Sequence, residues 1–125
     1  MERPVNIVVA DRSLLVVEAL EAMLMELNGG TRVLTATTLQ ETIRVVMREQ
    51  PELILLDAWI GVADAEHAVR QVLECSPTSS VFVMATKCDP DFARRMRQAG
   101  AKGCCQKEEL PSNAQSLLDS LKAKR

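Results

Sequence analysis

Short runs of apolar or β-branched residues recur five times along this 125-residue chain, each followed by a segment with helical spacing. The runs are nearly uniformly apolar, which is typical of parallel strands covered on both faces. They predict strands at residues 5–10, 31–37, 53–57, 81–85 and 103–106. Strands that alternate with helices predict an α/β fold, a doubly wound five-stranded parallel sheet with right-handed crossovers and helices on both faces.

Local helix signals support this alternation. Ser13 can cap a first helix over residues 14–27, which Asn28-Gly29-Gly30 would end, and the segment TLQE at 38–41 reads as a capping box. Asp64 begins a third helix that ends near Cys75, and Asp89-Pro90 begins a fourth that Gly100 ends. A last helix is predicted over residues 112–122. The predicted core stripe of the first helix is Val16, Leu20, Met23, Leu24 and Leu27.

The balance of charge and apolar residues narrows the function. A net charge of −2 argues against a nucleic-acid binder, which needs a concentrated basic footprint. No apolar run is long enough to cross a bilayer, and the first residues do not resemble a secretory signal. We therefore expect a cytoplasmic location, no membrane contact, no direct nucleic-acid binding and a single domain over residues 1–125.

Four cysteines are spread without a metal-binding pattern. Cys75, Cys88, Cys104 and Cys105 contain no CxxC pair and no nearby histidine, so a zinc site is not expected. A domain of this size needs no disulfide framework. The sequence therefore predicts reduced, mostly buried thiols.

The turn after the first strand selects between the two common doubly wound topologies. A dinucleotide-binding sheet carries glycines there, and the segment ADRSLL has none. The smaller flavodoxin-like order 2-1-3-4-5 remains, in which strands one and three are neighbours. A ligand would then bind above the carboxyl ends of these two strands.

Three charged residues follow strands at that edge. Asp11 comes after the first strand, Asp57 ends the third, and Lys107 follows the fifth. Two carboxylates and an ammonium could hold a hydrated cation and a phosphoryl group, since Mg²⁺ prefers carboxylate, water and phosphate oxygens. Taken alone, Asp11 could equally be a helix cap and Lys107 a solvated surface charge. Their predicted convergence favours a site.

Three segments carry a family resemblance. NIVVADRS, LILLDAWIG and GAKGCCQKEEL resemble the first-strand, third-strand and fifth-strand signatures of receiver domains of response regulators, in a register that holds along essentially the whole chain. The resemblance implies that Asp57 is the phospho-acceptor and Lys107 the phosphoryl-contacting lysine. It also implies that Asp11, Asp57 and the backbone carbonyl of Trp59 hold Mg²⁺.

The chain departs from the family pattern at three pocket positions. Arg12 replaces the second of two adjacent acidic residues, Ala85 replaces a threonine or serine, and Cys104 replaces an aromatic residue. A missing carboxylate predicts weakened Mg²⁺ binding. Arg12 would either swing outward or pair with Asp11 or Asp57 and take the place of the metal's charge. Thr86, one position late, is a candidate substitute hydroxyl.

These departures leave several functions open. The first is a two-component receiver with at most self-phosphorylation on Asp57, served by a histidine kinase or histidine phosphotransfer protein. The second is a phosphorylation-independent interaction module with the same fold. A flavodoxin-like enzyme is weaker, because the first turn lacks a phosphate-binding loop and only 2% of residues are aromatic.

Two surfaces are candidates for partner binding. Beyond the core stripe, the first helix carries four further apolar residues that could form a docking patch: Leu14, Leu15, Val17 and Met25. By the family resemblance, the fourth helix, fifth strand and fifth helix are a candidate homodimer surface. His67, the only histidine, is expected to be exposed rather than a phosphodonor.

Overall fold

The structure is a computed structural model and describes residues 4–27 and 31–123. Its five strands are β1 (Val5–Ala10), β2 (Thr31–Ala36), β3 (Leu53–Asp57), β4 (Ser80–Ala85) and β5 (Gly103–Gln106). Its helices are α1 (Leu14–Leu27), α2 (Leu39–Glu49), α3 (Ala65–Cys75), α4 (Pro90–Ala99) and α5 (Leu110–Ala123). All strand pairs are parallel and the order is β2-β1-β3-β4-β5, which confirms the predicted fold class and strand order.

The predicted caps begin the helices where the sequence places them. The Thr38 hydroxyl accepts from the backbone N–H of Glu41 at 3.1 Å, and an Asp89 carboxylate oxygen accepts from the N–H of Phe92 at 2.8 Å. Pro90 follows as the first residue of α4, where a missing N–H costs no hydrogen bond. The predicted stop at Asn28-Gly29-Gly30 lies outside the described residues.

Boundaries differ from prediction by one or two residues. β2 ends at Ala36 instead of residue 37, and β4 begins at Ser80 instead of residue 81. α5 begins at Leu110, two residues earlier than predicted, because a 3₁₀ turn over Lys107–Glu109 leads directly into it. Pro111 lies in the first turn of α5, where proline is tolerated.

Two apolar cores lie on opposite faces of the sheet. Ile54 and Leu56 of β3 point toward α2, α3 and α4, whereas Leu53 and Leu55 point toward α1 and α5. All four are at most 1% exposed, as expected for a central strand covered on both sides. This double burial leaves the carboxyl ends of the strands as the place where polar side chains can gather.

The face of α1 that enters the core differs from prediction. Val17 is 2% exposed and packs inward with Leu20 and Leu24, so its assignment to an exposed docking patch was wrong. Val16, Met23 and Leu27 are only partly buried against the same core. The first helix is apolar nearly all round, so spacing alone could not fix its rotation. Leu14, Leu15 and Met25 are exposed as predicted.

The expectation that all four thiols are reduced was wrong for two of them. Cys88, in the loop between β4 and α4, forms a disulfide with Cys104 of β5, with the two Cα atoms 6.1 Å apart. Cys75 and Cys105 are free and half-buried. Spacing along the chain does not reveal that this loop folds back over β5. Across residues 4–27 and 31–123, none of the helices has the length and apolarity needed to span a membrane.

Candidate functional site

The sheet brings the three predicted charged residues together. β1 and β3 pair with Ala10 beside Leu56, so Asp11 and Asp57 emerge next to each other at the carboxyl ends of their strands. Asp11 is 1% exposed and Asp57 is fully buried. Lys107 follows β5 and reaches back across β4 to both carboxylates. These residues, with Arg12, form what we call the carboxylate pocket.

Both carboxylate oxygens of Asp57 accept from protein donors. Oδ2 accepts from the backbone N–H of Arg12 at 3.2 Å and from its Nε at 2.9 Å. Oδ1 accepts from the backbone N–H of Trp59 at 3.1 Å and from Nζ of Lys107 at 3.2 Å. The Asp57 carboxylate is therefore held from both sides by two cationic side chains and two amides.

Asp11 is held in a similar way. Its Oδ1 accepts from the backbone N–H of Ser13 at 2.9 Å, which fixes the turn that enters α1. Its Oδ2 lies 2.8 Å from Nζ of Lys107, an ionic contact whose angle is poor for a hydrogen bond. The Lys107 ammonium, on a side chain only 25% exposed, therefore bridges both carboxylates.

Arg12 takes the inward of the two orientations considered from the sequence. Its guanidinium pairs with Asp57 and not with Asp11, while 56% of its side chain remains exposed. It thus lies across the mouth of the carboxylate pocket, with one nitrogen on the buried carboxylate and the rest toward solvent. The position directly after Asp11 therefore carries a positive charge.

These contacts set the ionisation of Asp57. Burial by itself raises the pKa of this carboxyl, because a charged group is poorly solvated there. Hydrogen bonds from the Arg12 side chain and from the amides of Trp59 and Arg12, with the charge of Lys107, outweigh burial and lower the pKa below its ordinary value. Asp57 is therefore an anion at neutral pH.

The residues present do not fit a magnesium ion in this arrangement. Two carboxylates are matched by two side-chain cations, and protein donors contact all four carboxylate oxygens. Among the described residues, no cluster of three or more His, Cys, Asp or Glu side chains could hold a metal. A divalent ion would have to displace the Arg12 guanidinium without the third carboxylate that offsets its dehydration.

The remaining predicted positions lie around this pocket. Trp59 contributes its backbone N–H to Asp57, and its side chain is 54% exposed. Ala85 is buried at the end of β4, where it offers no hydroxyl. Thr86 is exposed and lines a cavity of about 370 Å³ that also includes Lys107. A cavity of about 590 Å³ lies between α2 and the segment after β3, and none of the pocket residues lines it.

Some features of the site were not predicted from the sequence. The amides of Arg12 and Trp59 act as donors to Asp57, and only a tight turn after each strand places them there. The disulfide between Cys88 and Cys104, which joins the loop after β4 to β5, was not predicted either. The sequence signal for this bond was the presence of cysteines at positions 88 and 104.

A family model and a curated relative match this chain. The model for the response regulator receiver domain matches residues 7–122. A curated Pseudomonas aeruginosa protein, named as a candidate transcriptional regulator, is 31% identical over 101 residues, covering 81% of this chain. The chain spans about half (47%) of the length of that relative.

Solved structures show the same fold at low identity. The RcsB response regulator of Salmonella typhimurium superposes with a TM-score of 0.86 at 14% identity, covering 99% of this chain and 62% of that one. Chemotaxis protein CheY4 of Vibrio cholerae gives a TM-score of 0.82 at 18% identity, covering 94% and 98%. At these identities the likeness concerns the fold alone.

Proposed function

Because the chain belongs to the response regulator receiver domain family of two-component signalling, we propose that it works as a protein-binding switch module whose acceptor-position carboxylate is held in an internal ion pair. In this proposal residues 1–125 form one receiver domain, and Asp57 occupies the position where the family carries its phosphoryl group. Signalling then rests mainly on protein contacts, with phosphorylation slow or lost.

One observation carries this proposal. The Arg12 side chain, at the position of a family acidic residue, donates from Nε to Asp57 Oδ2 at 2.9 Å. A charge-assisted hydrogen bond of this kind stabilises the anion and lowers its reactivity as a nucleophile. The oxygen that would attack phosphorus is thereby engaged, and a positive charge lies where the metal's charge would otherwise be needed.

A second candidate, phosphorylation of Asp57 without strong metal dependence, is favoured by a specific observation. The Arg12 side chain is more than half exposed, so it can leave Asp57 without opening the core. An Asp57 oxygen would then attack the phosphorus of a donor, form an acyl phosphate and expel the donor's leaving group. Lys107, 3.2 Å from Asp57, is placed to offset the added negative charge, and Thr86 is a candidate hydroxyl for a phosphoryl oxygen.

Intact mass spectrometry separates these two candidates. The chain is incubated with a small phosphodonor, with and without Mg²⁺, beside Asp57→Asn and Arg12→Asp variants. We expect little adduct on the native chain under either condition, and a Mg²⁺-dependent adduct on Arg12→Asp that Asp57→Asn does not form. A full adduct on the native chain, absent from Asp57→Asn, would contradict the ion-pair proposal. If that adduct forms equally well without Mg²⁺, it establishes the second candidate.

Partner binding is proposed from the family and from exposed residues. Receiver domains interact with histidine kinases or phosphotransfer proteins, and we propose such a partner for this chain in the cytoplasm. Leu14 and Leu15, 60% and 78% exposed at the start of α1 beside the pocket, are the residues we assign to its docking. Leu15→Glu should weaken binding with little loss of stability, whereas Val17→Glu should unfold the chain because Val17 is buried.

Self-association through α4, β5 and α5 has weaker support. Arg94 and Arg95 of α4 pair with Asp91 of the same helix, and Arg95 also contacts Glu66 of α3 at 3.1 Å. These arginines already form ion pairs within the chain, so less positive charge is available to pair with acidic residues of a second copy. Analytical ultracentrifugation of the chain tests the dimer directly.

A further inference from the structure

The disulfide joins the loop before α4 to β5. Cys88 lies one residue before Asp89, whose carboxylate caps α4, and Cys104 lies in β5 opposite Val83 of β4. The bond therefore ties the N-terminal turn of α4 to the edge strand. Lys107 of the carboxylate pocket is three positions further along the same segment.

We propose that Cys88 and Cys104 form a reversible modification site, an intramolecular disulfide that holds the first turn of α4 against β5 when oxidised and releases it when reduced. This inference goes beyond the proposed function and does not depend on phosphorylation of Asp57. It concerns β5 and the loop between β4 and α4.

The geometry selects this pair of cysteines over the others. Cys104 packs on the face of the sheet that α2, α3 and α4 cover, whereas its neighbour Cys105 packs on the face of α1 and α5. Successive side chains of a strand point to opposite faces, so Cys105 cannot reach Cys88. Burial, with the nearby charge of Glu109, raises the pKa of the Cys105 thiol and keeps it unreactive.

Other interactions hold β5 and the start of α4 in place without the disulfide. Backbone pairing joins β4 and β5 along four residue pairs, and Asp89 caps α4 through its own side chain. The two bonded cysteines are only partly buried, so small thiols can approach them. A disulfide that is accessible and not required for the fold is the kind that exchanges readily.

The reaction balances with a low-molecular-weight disulfide as oxidant. One protein thiolate attacks the small disulfide and expels one small thiol, leaving a mixed disulfide on the protein. The second cysteine then attacks that mixed disulfide, forms the Cys88–Cys104 bond and expels the second small thiol. Two protein thiols are oxidised, one small disulfide is reduced to two thiols, and excess small thiol reverses both steps.

Releasing the bond should loosen one side of a surface cavity. The loop that contains Cys88 contributes Thr86, Lys87 and Asp89 to a cavity of about 290 Å³, which Trp59 and Phe92 also line. In the oxidised form the end of this loop is fixed to β5. In the reduced form only the cap at Asp89 and the packing of α4 hold it.

The first test maps the bond. The chain is equilibrated with mixtures of reduced and oxidised glutathione, alkylated and digested with trypsin. We expect residues 88–94 cross-linked to residues 103–107 in the oxidising mixtures and free in the reducing ones. Cys105→Ser should retain the cross-link, and Cys104→Ser should lose it. A bond through Cys105, a bond between chains, or no bond would overturn the proposal.

The second test measures what the bond does. The amides of Phe92 and Ala93, which donate to Asp89 in the first turn of α4, should exchange hydrogen at least about fivefold faster after reduction. The amides of Glu41 and Thr42, which donate to Thr38 in the same way, serve as the internal control and should not change. Equal exchange at Phe92 and Ala93 in both redox states would overturn the proposed control of α4.

Thermal unfolding shows whether the cysteine variants are folded and how much the bond stabilises the chain. The disulfide closes a loop with a sequence separation of 16, and oxidation should raise Tm by about 10 °C. Cys88→Ser and Cys104→Ala should each unfold cooperatively at the Tm of the reduced native chain. A native Tm that does not change on reduction would count against the bond.

Discussion

The two sides of the candidate site are held together by different forces. Where β1 and β3 end, Asp11 and Asp57 are held by Arg12 and Lys107 through ion pairs of 2.8–3.2 Å. Where β4 and β5 end, the link between the loop before α4 and β5 is covalent, through Cys88 and Cys104. The first side should respond to pH, salt and charge substitution, and the second to thiol chemistry. We therefore expect the ion pairs and the disulfide to respond to different changes in conditions.

Among changes to the ion pairs of Asp11 and Asp57, removing Lys107 should lower the free energy of unfolding most. Lys107→Met keeps most of the length of the side chain but removes the ammonium, so that Asp57 keeps only Arg12 as a cationic partner and Asp11 loses its ion pair. We expect the free energy of unfolding to fall by about 2–3 kcal/mol, below the full penalty for a broken buried pair because the lysine is partly exposed. Urea unfolding measures the loss, with the exposed Lys102→Met as the control. A loss equal to that of the control would mean that the ammonium contributes little.

Reversing the charge at position 12 should convert the carboxylate pocket into a metal site. Arg12→Asp places a third carboxylate beside Asp11 and Asp57, and we expect Mg²⁺ affinity to rise about tenfold or more above the native chain. Without metal the variant should be less stable, and Mg²⁺ should restore its Tm. Calorimetric titration measures the affinity, and Arg12→Ala separates loss of the guanidinium from gain of the carboxylate. Equal Mg²⁺ affinity in the native chain and Arg12→Asp would show that Arg12 does not take the metal's place.

The pH dependence of stability should report Asp57 in particular. Its folded pKa is lowered, so its contribution to stability is fully present above the unfolded pKa of about 3.9 and is lost as the pH falls through the lower folded value. Asp57→Asn should remove that part of the acid-side slope, so that the variant loses less stability than the native chain as the pH falls below about 4. Urea midpoints across this range, in thiol-containing buffer, measure the slope. If both proteins lose stability in parallel, another group accounts for the acid sensitivity.

The smallest expected effect is the coupling between the two sides. Arg12→Ala and Cys104→Ser share no contact partner, so their effects on the free energy of unfolding should add to within about 0.5 kcal/mol. A double-mutant cycle measures this coupling under oxidising conditions. A coupling above about 1 kcal/mol would join the two sides into one device acting through Lys107, which contacts Asp57 and follows Cys104 in the chain.

Much of the fold followed from local patterns. β3 and α1 begin and end at the predicted residues because an apolar run bounded by Asp57, and a helix entered at Ser13, are signalled within a few positions of the chain. The end of α5 nearest the site was less predictable. A 3₁₀ turn precedes this helix, and its formation depends on the direction in which the chain leaves β5. No local residue pattern marks this turn.

By itself, the sequence determined the order of strands and helices, the strand-end positions of Asp11 and Asp57, and the presence of a cationic residue, Arg12, directly after Asp11. Periodicity and capping act over neighbouring residues, so they can be read from the chain. Only the tertiary structure decided that Arg12 turns onto Asp57, that Val17 faces the core, and that Cys88 meets Cys104. Each of these depends on which elements pack together and on the rotation of a helix, and residues distant in the chain become partners only when the sheet forms.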